Sequence, residues 1–183
     1  MASFSATTTL ETPRLLLRPL RRDDVPAFFA LMSDPVVMKF WNQLPWRHIE
    51  QAFEAIDNYR QALSAGEYMK LGLEMKDGGH LIGTCILFHI NAASRRAEIG
   101  YCLAADAQGK GYMAEALSGL IDFAFGTLGL NRLEAEIDAR NIASAKTLAR
   151  QSFVQEGLLR ERWIVDGKTS DSALYGLLAA ERG

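Results

Sequence analysis

Residues 97–138 constrain this chain more than any other stretch. They read as a strand, AEIGYCL (Ala97–Leu103), a loop holding Gly109 and Gly111, an amphipathic helix, and a second strand, Arg132–Asp138. The helix runs from Gly111 to about Phe125 and sets Met113, Leu117, Leu120, Ile121, Ala124 and Leu128 in one apolar stripe. Strand, helix and strand joined in this way form a right-handed crossover whose two strands lie parallel. One parallel pair must therefore be built into whatever sheet the rest of the chain supplies.

The rest supplies hairpins. After a ragged start over residues 1–11, Leu15–Leu17 give a short first strand. Asp23-Asp24 precedes a helix from Val25 to Met32 that stops at Asp34-Pro35, as proline restricts the residue before it. Residues 36–46 read as a loop carrying Phe40, Trp41 and Trp46. A second helix shows Ile49, Phe53, Ile56 and Leu63 at helical spacing, with Glu50, Glu54, Asp57 and Gln61 opposite. Met69–Met75 alternates as a half-buried strand, turns at Lys76–Gly79, and returns as the apolar run Leu81–Ile90. Asn141 caps a helix over Ile142–Arg150, and a hairpin over Phe153–Val165 and Ser172–Leu178 turns at Asp166-Gly167. The order βααβββαβαββ predicts an α/β protein: one mixed, mostly antiparallel sheet of seven strands with about four helices. No linker or repeat divides residues 1–183, so one domain is expected, with its core over about 11–178.

Charge and composition narrow the function. Twenty basic and 22 acidic residues are mixed along 183, giving a net charge of −2 and no basic stripe of the kind that nucleic acid needs. Arg14, Arg18, Arg21 and Arg22 are the densest basic stretch and read as solvated charges flanking a strand. No apolar stretch approaches the roughly 18 residues of a membrane span, and the N-terminus lacks a signal pattern, so a cytoplasmic protein is expected. Cys85 and Cys102 sit in apolar runs without ligand or redox spacing, and His48, His80 and His89 lie singly; no metal site is expected.

The chemistry concentrates at Gln108-Gly109-Lys110-Gly111-Tyr112-Met113. Gly109 and Gly111 can take positive φ, which lets backbone N–H groups turn toward one point, and the helix that follows offers its own unpaired N–H groups and positive dipole end to an anion. A tight strand-to-helix turn alone would also account for the glycines. The Walker pattern is absent, and Ala114 stands where a dinucleotide fingerprint needs its third glycine.

Three separated segments, ETPRLLLRPLRRDD, AEIGYCLAADAQGKGYMAEAL and NRLEAEIDARNIASAKTLARQSFVQEG, resemble the RimJ/RimL branch of the GNAT acetyltransferases over about residues 11–178. The resemblance implies the GNAT fold, with its parallel pair splayed, and acetyl-CoA as cosubstrate. It places the pyrophosphate on the amides of Gln108, Gly109, Lys110, Gly111, Tyr112 and Met113. The pantetheine arm would lie along the strand ending at Leu103, whose backbone N–H polarises the thioester carbonyl, with Asn141 touching that arm. Met113 departs from the small residue that ends the family motif, and Leu148 replaces the tyrosine that many members carry seven residues after the asparagine.

The acetyl group would pass directly to an amine, which calls for a base and a proton donor. Glu98 is the candidate base, acting through water, with Glu161 ranked below it. Ser144 replaces the missing tyrosine as a hydrogen-bond donor or relay. Glu98 and Tyr101 alternate to opposite faces of their strand, so at most one faces the acceptor pocket without a bulge. Phe40, Trp41, Trp46 and Tyr101 are the candidate acceptor-binding residues. Deprotonating an α-amine of pKa near 8 costs about 1 kcal/mol at pH 7, against about 4–5 for lysine, which favours an N-terminal α-amine. A small amine, amino acid or antibiotic as acceptor, and a non-catalytic acyl-CoA sensor suggested by Leu148, stay open alternatives. Many members of that branch dimerise, so a homodimer is one assembly the resemblance allows; the sequence itself fixes no oligomeric state.

Overall fold

The computed structural model describes residues 4–182. Its strands are β1 (Leu10–Glu11), β2 (Leu15–Pro19), β3 (Met69–Met75), β4 (Leu81–Asn91), β5 (Arg96–Leu103), β6 (Arg132–Asp138), β7 (Val154–Val165) and β8 (Lys168–Leu178). They form one sheet in the order β1-β2-β3-β4-β5-β6-β8-β7, every pair antiparallel except β5 and β6. The eighth strand, β1, comes from the segment expected to be ragged. Thr12 folds the chain back: its N–H donates to the Leu15 carbonyl (2.9 Å), its hydroxyl accepts from the Leu15 N–H (3.1 Å), and Leu10 lands opposite Leu17.

Alternation divides the sheet into two chemically different faces. Leu15 and Leu17, Met69, Leu71 and Leu73, Cys85 and Leu87, Ala97 and Ile99, Leu133 and Ala135, and Ala173 and Leu177 form one core with α3 (Tyr112–Asp122) and α4 (Ile142–Arg150). The opposite face is covered at one end by α1 (Val25–Ser33) and α2 (Glu50–Ala65), whose smaller cluster takes in Phe28, Met32, Met38, Ile56 and Cys102. Over β5, β6 and β8 that second face presents Glu98, Glu134, Glu136 and Ser172 instead of apolar side chains.

The structure departs from two expectations. The buried stripe of α2 is Ala52, Ile56 and Leu63, leaving Ile49 and Phe53 exposed at the start of the helix. Arg18 is not a solvated charge: it is 3% exposed, forks onto Asp24 (2.7 and 2.8 Å) and reaches Glu74 at 2.5 Å. A buried guanidinium needs such partners, since an unpaired charge would cost several kcal/mol or more. The Asp24 bond above all holds Arg18 above its ordinary pKa.

Candidate functional site

β5 and β6 pair over three rungs only, Arg96 with Arg132, Ala97 with Leu133 and Glu98 with Glu134. β5 then runs on to Leu103 and β6 to Asp138 without meeting, so the parallel pair opens into a V. The backbone of β5 alternates its hydrogen-bonding direction: the Arg95 carbonyl serves the β6 side, while the Ala104 N–H reaches Ile82 on the β4 side (2.8 Å). Tyr101 and Leu103 therefore turn their backbone groups into the open V. Buried backbone groups of this kind call for a partner, and an extended chain with amide groups supplies one. The Leu103 carbonyl is already engaged by Gln108 Nε2 (3.1 Å), leaving its N–H.

At the open end lies the glycine loop. Gly109 and Gly111 have φ of 75° and 82°, the left-handed region that L side chains avoid at a cost of about 1–2 kcal/mol. α3 starts at Tyr112 with Gly111 as its N-cap, and Gly111 contributes no side-chain cap. Among the described residues, the N–H groups of Gly109 through Ala114 have no backbone or side-chain acceptor, whereas that of Gln108 is spent on the Ala105 carbonyl (3.3 Å). Gln108 thus serves through its side chain, bracing Leu103, and the free donors begin one residue later than the motif suggests. A concave run of free N–H groups at a helix N-terminus fits a pyrophosphate.

On the α4 side, Asn141 is the N-cap, its Oδ1 accepting from the Ser144 N–H at 3.1 Å. The Tyr101 hydroxyl donates to the Ser144 carbonyl (3.3 Å), which pins the wall of the V to α4. Burial pushes the Tyr101 phenol far above its usual range. Tyr101 packs toward the α3 and α4 core, away from the face that carries Glu98. Sequence reading grouped Tyr101 with the acceptor-binding residues; strand alternation sets its side chain on the sheet face opposite Glu98. Leu148 is fully buried in that same core, which explains why an apolar residue occupies the position of the family tyrosine.

The opposite face carries the carboxylates. Glu98 sits on the last paired rung, with His89 Nδ1 3.0 Å from its Oε1. A bulge between Phe88 and Asn91, with φ of 49° at His89, turns that histidine to the side it would otherwise face away from. Glu134 is neutralised by Arg96 and Arg132, each at 2.8 Å. Glu136, two residues on, stands where the V is open; two strand steps are about 7 Å. Its Oε1 accepts from Trp163 Nε1 and Ser172 Oγ, both at 2.7 Å, with Arg162 Nε at 3.6 Å. Its Oε2 has no partner among the described residues.

Glu136 and Trp163 are the residues that sequence reading missed. The signal was present: Glu134 and Glu136 alternate with Leu133, Ala135 and Ile137, which puts them on the side of the sheet that Glu98 occupies. Trp163 could not be found that way, because a bulge of β7 delivers it. Between Leu159 and Trp163 the strand carries two residues more than β8, and Glu161, with φ of 49°, donates its N–H to Asp171 Oδ1 at 2.7 Å. Glu161, the second candidate base, is exposed in that bulge.

The aromatic loop holds a short helical turn at Met38–Phe40. Trp41 and Trp46 are half-buried against the α1 and α2 cluster, which also contains Cys102 and Ala104 from the end of β5. Trp46 meets Phe28 edge to face, ring centroids 5.2 Å apart. Phe40 is partly exposed, with Lys39 Nζ 5.1 Å from its ring centre. Cys85 and Cys102 are buried, and burial pushes the Cys85 thiol up to about 12. Among the described residues no group of His, Cys, Asp and Glu could hold a metal ion, and no helix is long and apolar enough to cross a membrane.

Comparison with known proteins gives this geometry a family. Residues 14–154 match the model of the acetyltransferase (GNAT) domain. An uncharacterized N-acetyltransferase of Bacillus licheniformis, p20, is 36% identical over 173 residues, covering 94% of this chain and 97% of its own. YdaF of Bacillus subtilis, by name a candidate ribosomal N-acetyltransferase, is 32% identical over 142 residues (74% and 78% of the two chains). The spermidine N(1)-acetyltransferase of Vibrio cholerae is 24% identical over 158 residues (86% and 89%). Among solved structures, Mycobacterium smegmatis RimJ in complex with CoA-disulfide superposes with a TM-score of 0.84 at 25% identity, covering 95% of this chain and 87% of that one.

Proposed function

Because the chain belongs to the GNAT family of acetyl-CoA-dependent N-acetyltransferases, we propose that it acetylates the free α-amine at the end of a peptide or protein, in the cytoplasm. The observation that carries this reading is the V between β5 and β6, with free N–H groups at its mouth on one side and carboxylates across its other face.

Acetyl-CoA supplies the activated acetyl group. Gly109 through Ala114 would receive its pyrophosphate, and the backbone of Tyr101 and Leu103, with Asn141, would hold the pantetheine arm. The Leu103 N–H would polarise the carbonyl that is attacked, a contribution of the oxyanion-hole kind. The acceptor amine enters from the face of Glu98 and Glu136, between the aromatic loop and β7. Glu136, fixed by Trp163 and Ser172 with one oxygen free, orients the amine and takes its proton, directly or through water. Glu98 with His89 stands deeper, at the closed end, as a second acceptor. Ser144, whose main chain is clamped by Asn141 and Tyr101, offers its hydroxyl toward the departing sulfur.

An α-amine fits such a base set, since only about 1 kcal/mol is needed to present it neutral near pH 7. The likeness to YdaF supports the same class. Val36, Leu44, Ile49 and Phe53, exposed on the aromatic loop and the start of α2, would meet the side chains that follow the amine. A small polyamine is the second reading, favoured by Glu98 and Glu136 on one face of the sheet and by the spermidine relative. Thiol release from acetyl-CoA separates the two. Peptides with a free N-terminus should be turned over, N-terminally blocked peptides containing lysine should not, and spermidine should be the poorer acceptor. Faster turnover of spermidine than of any peptide would establish the second reading.

A further inference from the structure

The glycine loop is gripped from behind by the segment before β2. Arg14 Nη1 donates to the Lys110 carbonyl at 3.0 Å, its guanidinium lies 4.4 Å from the centre of the Tyr112 ring, and its Nη2 is 3.5 Å from where a Cβ on Gly111 would stand. Arg14 is itself tied down by Glu115 in the first turn of α3. Glu115 accepts from Arg14 Nε at 2.6 Å, from the Arg14 N–H at 2.7 Å and from the Thr12 hydroxyl at 2.6 Å. Burial opposes ionisation of Glu115, but the bonds from Thr12 and Arg14 more than offset it, and the carboxylate is held below its usual range. Glu115 and Thr12 thus hold in place the side chain that bonds the Lys110 carbonyl.

That carbonyl decides where an N–H points. In a trans peptide the C=O and the following N–H are antiparallel. With the Lys110 oxygen drawn toward Arg14, the Gly111 N–H is directed the opposite way, to the open side of the loop. Both flanking glycines have positive φ and little intrinsic preference to hold that orientation themselves. We infer that Arg14 is a positioning residue for the pyrophosphate loop, setting the Lys110–Gly111 peptide so that the Gly111 N–H faces the cofactor. The inference rests on the assignment of residues 109–114 to the pyrophosphate. It also gives the start of β2 a role that its distance in sequence conceals. Arg14 contacts no reacting atom; it acts through Lys110.

A donor lacking the pyrophosphate isolates this role. Steady-state kinetics of the wild type, Arg14→Met and Arg14→Lys would be measured with acetyl-CoA and with S-acetylpantetheine, alongside the melting temperature of each. The expected result is a rise in acetyl-CoA KM of about tenfold or more for Arg14→Met, worth about 1.4 kcal/mol, with kcat and the S-acetylpantetheine parameters unchanged. Arg14→Lys keeps the charge but loses the fork and the stacking on Tyr112, so it should behave like Arg14→Met. An equal loss with both donors would make Arg14 a general structural residue and overturn the inference. Full rescue by lysine would overturn it too, since charge alone would then suffice. Should Arg14→Met fail to fold, the Arg14→Lys comparison carries the same test. A wild type that used both donors equally well would instead remove the pyrophosphate from the loop, and with it the underlying assignment.

Discussion

Replacing Trp46 by alanine probes whether the aromatic loop is a wall for the acceptor as well as a lid on the smaller core. Trp46 is half-buried, and its ring packs on Phe28 at 5.2 Å with the planes 85° apart. Its backbone N–H bonds the Met32 carbonyl (2.9 Å), which alanine retains. Deleting a fully buried aromatic costs about 3–5 kcal/mol. Part of this ring already meets solvent, so about 2 kcal/mol is expected, of which the edge-to-face contact accounts for roughly 1. For a chain of this length about 2–4 °C accompanies each kcal/mol, so Tm should fall by about 4–8 °C. The protein remains folded, and its kinetics can be read. If the ring also bounds the acceptor pocket, the acceptor KM should rise about tenfold. The Kd of acetyl-CoA should stay within about twofold, because the loop at Gly109–Met113 lies across the V. A melt beside a titration of acceptor decides the matter. A fall in Tm with an unchanged acceptor KM would refute the wall and leave Trp46 as packing only.

Glu136→Gln should lower kcat by about 10²-fold or more at neutral pH and leave acetyl-CoA affinity intact, as expected for loss of a general base; Glu98→Gln should cost less, and the reverse ranking would return the role to Glu98. Saturating acetyl-CoA, about 100 times Kd, should stabilise the fold by about 2.7 kcal/mol in a thermal melt, and no shift would remove the cofactor from the V. Burial raises the Asp24 pKa, but the fork from Arg18 and the Arg21 N–H outweigh it, so the folded value lies below the unfolded one. The stability this carboxylate contributes is then complete above the ordinary aspartate range and lost as pH falls through the folded pKa. Asp24→Asn, which leaves Arg18 with Glu74 as its one charged partner, should cost about 1.5–3 kcal/mol at pH 7 and flatten the acid limb of Tm against pH; a wild-type acid limb in the variant would contradict the assignment.

The elements that sequence periodicity defines are those that the fold contains, because each buries one stripe or one face. The apolar stripe of α3, the alternation of β3 and the single crossover from β5 to β6 are all in place. Departures arise where something other than periodicity decides. Thr12 builds β1 through a side-chain turn, and Arg18 is buried because Asp24 and Glu74 meet it there. In α2 the buried stripe falls on Ala52, Ile56 and Leu63, with Phe53 outside it. The glycine loop was legible because positive φ demands glycine. The carboxylate side of the site was half legible: parity places Glu98, Glu134 and Glu136 together, but only the bulges in β4 and β7 bring His89 and Trp163 to them. Nothing in residue spacing announces a bulge held by one N–H bond to Asp171. The contact of Arg14 with Lys110 spans 96 positions in sequence and is visible only once the fold is known.

In the proposed reaction the V between β5 and β6 joins a thioester on one side to an α-amine on the other. Its most direct test is mass spectrometry of a peptide carrying both a free N-terminus and an internal lysine, incubated with acetyl-CoA and either the wild type or Glu136→Gln. The wild type should add one acetyl group, located by fragmentation at the N-terminus, and Glu136→Gln should add it at least about 10²-fold more slowly. Acetylation of the lysine ahead of the N-terminus, or equal rates for the two proteins, would contradict it.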